Sequence, residues 1–245
     1  MNTGKIYVVG IGPGNDAGMT PQALEAISRA DAIVGYGLYI ELISRLTPGK
    51  EVFSSGMRHE AERCEAALDF AKSGRTAALV CGGDAGVYGM AGVMLEVARG
   101  CPEVEIEIVP GVTAACAAAA VLGAPLMHDF AVISLSDLLT PWDIIEKRLR
   151  AACAADFVIC LYNPKSANRA EQFGRAARIM LEYKDAQTPC GVVRNAGREG
   201  RASAICALSE LDKQNVDMFC TVIAGNSQTR VINGRMVTPR GYDIT

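Results

Sequence analysis

Runs of β-forming residues that end at glycine and lead into a helical stretch recur through the first half of this sequence, and that alternation restricts its fold more than any other feature. Lys5-Ile6-Tyr7-Val8-Val9 closes on Gly10-Ile11-Gly12-Pro13-Gly14, and Thr20 then stands as an N-cap with Pro21 at the first helical position of an amphipathic stretch to Ala30. The pattern continues with strands over Ala32–Gly35, Thr76–Cys81 and Val104–Val109 and helices over Glu60–Ser73 and Met90–Arg99. Such alternation predicts a mostly parallel, buried sheet. After Pro110-Gly111 comes a small-residue helix, Thr113–Leu122. Gly123-Ala124-Pro125 can continue neither a helix nor a central strand, so a domain boundary is expected near Pro125, giving α/β domains 1–125 and 126–245. The second half offers strands at Ala131–Leu135, Phe157–Tyr162, Gly191–Arg194, Ala202–Ala207, Phe219–Ala224 and Arg230–Ile232 but helices only at Pro141–Cys153 and Arg169–Tyr183. Fewer helices per strand predict a mixed sheet there.

Composition narrows the partners. Half of the 245 residues are hydrophobic, enough for a substantial core, which excludes a disordered chain. A net charge of -3 argues against a nucleic-acid partner, and no apolar run reaches the length of a membrane span. Residues 1–122 carry 9 basic and 14 acidic side chains against 15 and 13 in the remainder, so an anion-binding surface is expected mainly in the second half. Nine scattered cysteines without a Cys-x-x-Cys pair, and only two histidines, make a protein-bound metal site unexpected. Their odd number, with no signal peptide at Met1, fits reduced thiols in a soluble cytoplasmic protein.

Glycines after a strand let main chain approach a ligand at a helix start. The first loop departs from a nicotinamide-binding fingerprint in three ways: Asn15 replaces its third glycine, Pro13 removes a donor, and Val34-Gly35-Tyr36 supplies no acid for a ribose. These glycines could equally serve only a tight turn. The second loop, Cys81-Gly82-Gly83-Asp84-Ala85-Gly86-Val87-Tyr88-Gly89, has four glycines in nine residues, so its backbone must pass close to something. Asp84 could accept from a ligand or could cap a helix starting near Tyr88. A third loop, Pro110-Gly111-Val112-Thr113-Ala114, again follows a predicted parallel strand.

These loops, in this order, resemble the tetrapyrrole (corrin/porphyrin) methylase family of S-adenosylmethionine-dependent enzymes. The likeness rests on VGIGPG (9–14), GGDAGVYGMAG (82–92), PGVTAACAAAAVLGAPLMHDF (110–130), ISLSDLLTPW (133–142), FVICLYNPKS (157–166) and TPRGY (238–242). Within the family, MHDF with SLSDLLTPW resembles the branch that methylates carbon 17 of a cobalt-containing precorrin-3 or factor III macrocycle, with ring contraction, in anaerobic cobalamin synthesis. The aerobic, metal-free precorrin-3B activity is the alternative. The resemblance implies two α/β domains with S-adenosyl-L-methionine in a cleft between them, a homodimer, and S-adenosyl-L-homocysteine as product. It implies donor contacts from Pro13, Gly82, Gly83, Asp84, Val87, Thr113, Ala114, Tyr162, Asn163 and Ala196, with Asn163 standing where the family has Met. Tyr36-Gly37-Leu38 and Gly56-Met57-Arg58 replace the family's Tyr-Asp-Arg and Gly-Lys-Arg segments, so the proton-transfer roles of those segments do not carry over.

Methyl transfer from sulfonium to carbon asks the protein chiefly to align the reactants and exclude water. Ring contraction also asks for proton movement, for which His128, Asp137 and Tyr39 are the candidate catalytic groups, with Asp129 as a further polar neighbour. Gly12, Tyr36, Arg58 and Ser136 are the candidate substrate contacts. Arg194, Arg198 and Arg201 are further possible partners for the macrocycle's carboxylates, or simply charges on a solvated turn. His128 could instead be a hydrogen-bonded interdomain histidine, and Asp137 a helix-capping or turn residue ahead of Pro141. A nicotinamide oxidoreductase and a non-catalytic pigment carrier are the competing classes. On these readings Asp84→Ala is expected to weaken donor binding more than folding, and His128→Ala to slow turnover while donor binding persists.

Overall fold

The computed structural model describes residues 4–166 and 169–243. The chain divides into two compact units, Met1–Ala114 and Ala115–Thr245.

In the first unit β1 (Lys5–Gly10), α1 (Pro21–Arg29), β2 (Ala32–Tyr36), α2 (Gly37–Leu42), β3 (Glu51–Ser55), α3 (Glu60–Lys72), β4 (Ala77–Cys81), α4 (Ala91–Val97) and β5 (Glu105–Val109) follow one another. The strands form an all-parallel sheet of order β3-β2-β4-β1-β5. Because side chains alternate along a strand, each face needs its own cover. Ile6, Val8, Ala77, Leu79 and Cys81 pack with Cys64, Ala67 and Leu68 of α3 and Met94 of α4. On the other face Tyr7, Val9, Ala78 and Val80 meet Ala23, Ala26 and Ile27 of α1. The Thr20 hydroxyl accepts from the Ala23 amide at 3.1 Å, so α1 starts where the Thr-Pro signal places it. Two elements of this unit escaped the sequence reading. α2 is six residues long with no side-chain cap, and β3 is an edge strand whose EVFSS sequence is largely exposed.

In the second unit come α5 (Ala114–Leu122), β6 (Gly123–Ala124), β7 (Phe130–Ser134), α6 (Trp142–Ala154), β8 (Val158–Tyr162), α7 (Gln172–Leu181), β9 (Pro189–Arg194), β10 (Ala202–Ala207), β11 (Cys220–Ala224), β12 (Arg230–Ile232) and β13 (Arg235–Val237). The mixed sheet has the order β10-β9-β11-β8-β7, with only the β7–β8 pair parallel. β12, β13 and β6 form a smaller mixed sheet. Helices α6 and α7 cover one face of the larger sheet through Ile145, Leu149, Phe173 and Met180. α5 covers the other: Ala115, Ala118, Ala119 and Leu122 pack on Val158, Cys160, Val193 and Ile223. Gly191 makes room for it, since a Cβ there would lie 2.3 Å from Leu122 Cδ1. The division between units falls after Ala114, the first residue of α5, ahead of the break expected near Pro125. Gly123-Ala124 does end the helix, as expected, but then pairs with Met236 and Val237 as a short edge strand.

All nine cysteines are free, and most are buried. Burial pushes the thiols of Cys64, Cys81, Cys153 and Cys220 up to about 11, and those of Cys160 and Cys190 up to about 12, from an ordinary value near 9.0. The unfolded chain gives up these protons first, so the stability tied to the buried neutral thiols is complete below about pH 9 and declines as the pH rises through the folded values. Thermal midpoints are expected to fall from about pH 9 to 11, with a shallower slope in a Cys160→Ala, Cys190→Ala double variant. Identical slopes would show that the thiols do not govern the alkaline limit.

Candidate active site

In the first unit every candidate residue sits in a segment leaving the carboxyl end of a parallel strand, the edge where open α/β sheets bind ligands. Gly12 and Pro13 follow β1. Tyr36 and Tyr39 lie at the β2–α2 junction, Arg58 follows β3, Gly82 to Val87 follow β4, and Thr113 and Ala114 follow β5. Three of these loops leave adjacent strands at one level, since β4, β1 and β5 are neighbours with Gly10 opposite Cys81 and Val9 opposite Val109.

The loops are close to one another before they are close to anything else. Gly12 and Gly83 exchange both backbone bonds, at 3.0 and 2.8 Å. A Cβ on Gly10 would lie 2.7 Å from the Gly83 carbonyl oxygen, and one on Gly111 only 2.2 Å from the same atom. Asp84 clips the assembly. Its Oδ1 accepts from the amides of Gly86 (2.8 Å) and Val87 (3.1 Å), and its Oδ2 from the Gly111 amide (3.0 Å). The helix-cap reading of Asp84 does not describe this arrangement. Helix α4 starts later, behind Met90, with no side-chain cap. Gly12, buried at φ +72°, is required by the turn itself, because a Cβ would lie 2.3 Å from the Gly18 carbonyl oxygen.

Tyr39 lies against the second loop, so closely that a Cβ on Gly82 would fall 2.6 Å from its ring, and it meets Tyr36 edge to face at 5.5 Å between centroids. Arg58 is exposed with φ +66°, in a turn held from beneath by a residue that the sequence reading missed. Buried Arg63 donates to Ser55 Oγ at 3.0 Å and to the Gly56 carbonyl at 2.6 Å, and pairs with Glu60 at 3.0 Å. Its i+3 relation to Glu60 was the available signal. Cys81, which opens the second loop, donates to the Val9 carbonyl at 3.6 Å and stays protonated through burial, a packing group and not a nucleophile.

In the second unit β7, β8 and β9 run in one direction, because β11 is antiparallel to both β8 and β9. Ser136 and Asp137 after β7, Tyr162 and Asn163 at the end of β8, and Ala196 after β9 therefore share one edge. Asn163, at φ +51°, donates to Ser134 Oγ at 2.9 Å, and the Tyr162 hydroxyl accepts from the Ala115 amide at 2.6 Å. Gln172 Nε2 donates to Asp137 Oδ2 at 2.8 Å, so Asp137 is oriented by α7 and is not a capping residue. His128 is not brought to this edge. It precedes β7, about 13 Å of strand away from Ser134, and its exposed ring accepts at Nδ1 from the Asp129 amide at 3.0 Å. Arg194 pairs with Asp217 at 2.9 Å; although burial opposes ionisation there, Arg194 and the Phe219 amide hold the Asp217 carboxyl below its ordinary range. Arg198 and Arg201 lie in the segment between β9 and β10. Among the described residues no three His, Cys, Asp or Glu side chains gather as metal ligands, and no helix is long and apolar enough to cross a membrane.

The family profile described as Tetrapyrrole (Corrin/Porphyrin) Methylases matches residues 5–212. This chain belongs to the tetrapyrrole methylase family. The methylase is 51% identical over 240 residues to a Salmonella typhimurium protein named "Probable cobalt-factor III C(17)-methyltransferase", with 98% of this chain and all of the relative covered. It is 45% identical to the "Cobalt-factor III methyltransferase" of Priestia megaterium, again over 98% of this chain but only 45% of that longer protein. Among solved structures, that of the methyltransferase CobJ superposes with a TM-score of 0.91 at 38% identity, covering 97% of this chain and 100% of the other. The two-domain α/β architecture, with a parallel first sheet and a mixed second one, is thus that of the family.

The loop geometry changes the expectation for Asp84. Removing an ionised acceptor of three backbone amides costs on the order of 2 kcal/mol. Asp84→Ala is therefore expected to lower the urea midpoint of the methylase clearly, in addition to the weaker donor binding expected from the sequence. Gly111→Ala, whose Cβ meets only backbone, is expected to cost about 2–3 kcal/mol. An unchanged midpoint in both would mean that the loops do not depend on each other.

Proposed function

We propose that this chain is an S-adenosyl-L-methionine-dependent C-methyltransferase that methylates carbon 17 of a cobalt-containing factor III or precorrin-3 macrocycle, with ring contraction, in anaerobic cobalamin biosynthesis. The observation that carries the substrate assignment is the likeness, over 98% of this chain and all of the relative, to a protein whose name specifies cobalt-factor III and carbon 17. The cobalt belongs to the substrate and not to a protein site. The proposal extends to a homodimer working in the cytoplasm, as the resemblance implies.

The first unit fits such a donor. Gly83 is half-exposed, and the nearest atoms to a Cβ placed on it are main-chain atoms of Thr113 and Ala114 at 3.8 Å, so the second and third loops face each other there through backbone. When bound, S-adenosylmethionine supplies a methyl group on a positively charged sulfur, ready for in-line transfer to carbon. Gly82, Gly83, Val87, Thr113 and Ala114 hold the donor with Pro13 beside them, while Asp84 holds the loops. The family resemblance adds Tyr162, Asn163 and Ala196 as donor contacts. Tyr36, Arg58 and Ser136 receive the macrocycle, with Gly12 shaping the turn below it. Apolar side chains left exposed at the carboxyl edges, Met57, Tyr88 and Val112 in the first unit and Leu138 and Leu139 in the second, suit a broad conjugated ring and exclude water around it.

For proton movement the geometry favours Asp137 over His128. Gln172 holds Oδ2 of Asp137 and leaves Oδ1 with no hydrogen bond from a described residue, while His128 stands at the other end of β7. Tyr39, packed on Gly82, is the matching hydroxyl of the first unit. Incubation with isotopically labelled donor and either cobalt-loaded or metal-free trimethylated macrocycle, followed by mass spectrometry of the pigment, is expected to show one added methyl group on the cobalt form. Preference for the metal-free pigment would transfer the assignment to precorrin-3B, and pigment bound without methylation would make the chain a carrier. With the preferred pigment, Asp137→Asn is expected to lower kcat about 100-fold and His128→Ala to leave it nearly unchanged, reversing the expectation formed from the sequence. The opposite ranking would return His128 to the site.

A further inference from the structure

Three cationic side chains are buried among the described residues, and two of them have partners. Arg63 lies between Glu60, Ser55 and the Gly56 carbonyl. Lys184 donates to the Phe157 carbonyl at 2.9 Å and faces Asp156 at 3.6 Å. The third, Arg169, is 9% exposed, and its Nη1 is fully shielded with no hydrogen-bond partner. No carboxylate of the described residues reaches its guanidinium. Three residues on, Gln172 Oε1 is also buried without a donor.

A guanidinium stays charged at any physiological pH, so an unpaired one in the interior is a standing cost that neutralisation cannot relieve. Its backbone is not loose: the Arg169 amide donates to the Ser166 carbonyl at 3.0 Å, and the Ser166 amide donates back at 3.1 Å. This clamp lies in the segment leaving the carboxyl end of β8, which also carries Tyr162 and Asn163. Gln172 ties the same segment to Asp137 in the segment leaving β7. The unmatched charge thus stands in the loop pair where the other candidate groups of this unit collect.

We infer that Arg169 is a ligand-recognition residue whose missing partner is a carboxylate brought by a ligand. The planar fork of the guanidinium matches a carboxylate in two parallel hydrogen bonds, and the orphan oxygen of Gln172 can accept an N–H or O–H of the same ligand or of a bridging water. This deepens the proposed function and rests on it, because both reactants named there carry carboxylates: the methionine end of the donor and the acidic side chains of the macrocycle.

The test uses Arg169→Met, which keeps length and removes charge, and Arg169→Lys, which keeps charge without the fork. Thermal unfolding of the ligand-free proteins needs no pigment and so does not depend on the proposed activity. The midpoint of Arg169→Met is expected to equal or exceed that of the unaltered chain, because a charge without a partner has been removed. Calorimetry with S-adenosylhomocysteine and steady-state kinetics with cobalt-loaded trimethylated macrocycle then identify the source of the carboxylate. At least a tenfold loss of affinity is expected in one of the two, partly restored by lysine. A lowered midpoint in Arg169→Met, with both affinities unchanged, would make Arg169 a structural residue and overturn the inference. An unaltered chain that transfers no methyl to either pigment would instead defeat the function proposed above, and the midpoint would still report on Arg169.

Discussion

The first unit depends on three stretches of main chain lying in mutual van der Waals contact at the end of β4, β1 and β5. Parallel neighbours space strands about 4.8 Å apart, and loops leaving three of them at one level would collide if they carried side chains inward. Gly10 and Gly111 remove that obstacle, the Gly12–Gly83 bridge continues the pairing beyond the sheet, and Asp84 fastens the third loop to the second. Once the loops are joined, the amides of Gly83, Gly86, Val87 and Gly111 are already committed. What the edge then offers a ligand is shape and carbonyl oxygens more than a row of free donors. That differs from the phosphate cradle a glycine-rich turn first suggests, and it suits a donor whose reactive centre is cationic.

The second unit reaches a similar edge by another route. β9 is antiparallel to its sheet neighbours β10 and β11, yet it runs with β7 and β8, so three carboxyl ends come to one side without an all-parallel sheet. Here the edge is built of side chains. Asn163 is tied to Ser134, Asp137 to Gln172, and Tyr162 to the first turn of α5. The α5 contact explains why the small-residue helix after the third loop belongs with the second sheet: alanines let the helix lie close to Val158, Cys160 and Val193, and Gly191 receives Leu122.

Much of this was legible in the sequence wherever a local signal coincided with burial. Thr20-Pro21 placed the start of α1, and continuous apolar runs placed β1, β4 and β8, because a strand buried on both faces needs no other code. β3 was not legible: at the edge of its sheet, EVFSS has neither an apolar run nor clean alternation. β13 was missed although Asn233-Gly234, both at positive φ, is a strong two-residue hairpin signal between Ile232 and Arg235. The candidate residues were named by resemblance, and the sheet topology puts all but His128 at the carboxyl edges. The role of Asp84 was not, because a carboxylate that accepts from Gly111, 27 positions later, leaves no mark within its own segment. Arg169 was read as the start of a helix, and nothing in the local sequence shows that a cation there will be buried without a partner.

The contrast between main chain in one unit and side chains in the other has a consequence for how each tolerates change. In the first unit the glycines that shape the edge also hold the loops together, so altering them disturbs packing and ligand surface at once. In the second, Ser136, Asp137 and Arg169 project from segments whose backbone is fixed by other bonds, such as the Ser166–Arg169 pair and the Leu135 amide donating to the Tyr162 carbonyl at 2.9 Å. Their side chains can be exchanged without removing those bonds. On the function proposed above, selectivity for the acidic periphery of a ligand would therefore be free to vary in the second unit, while the first keeps a surface whose geometry is imposed by the contact of its own loops.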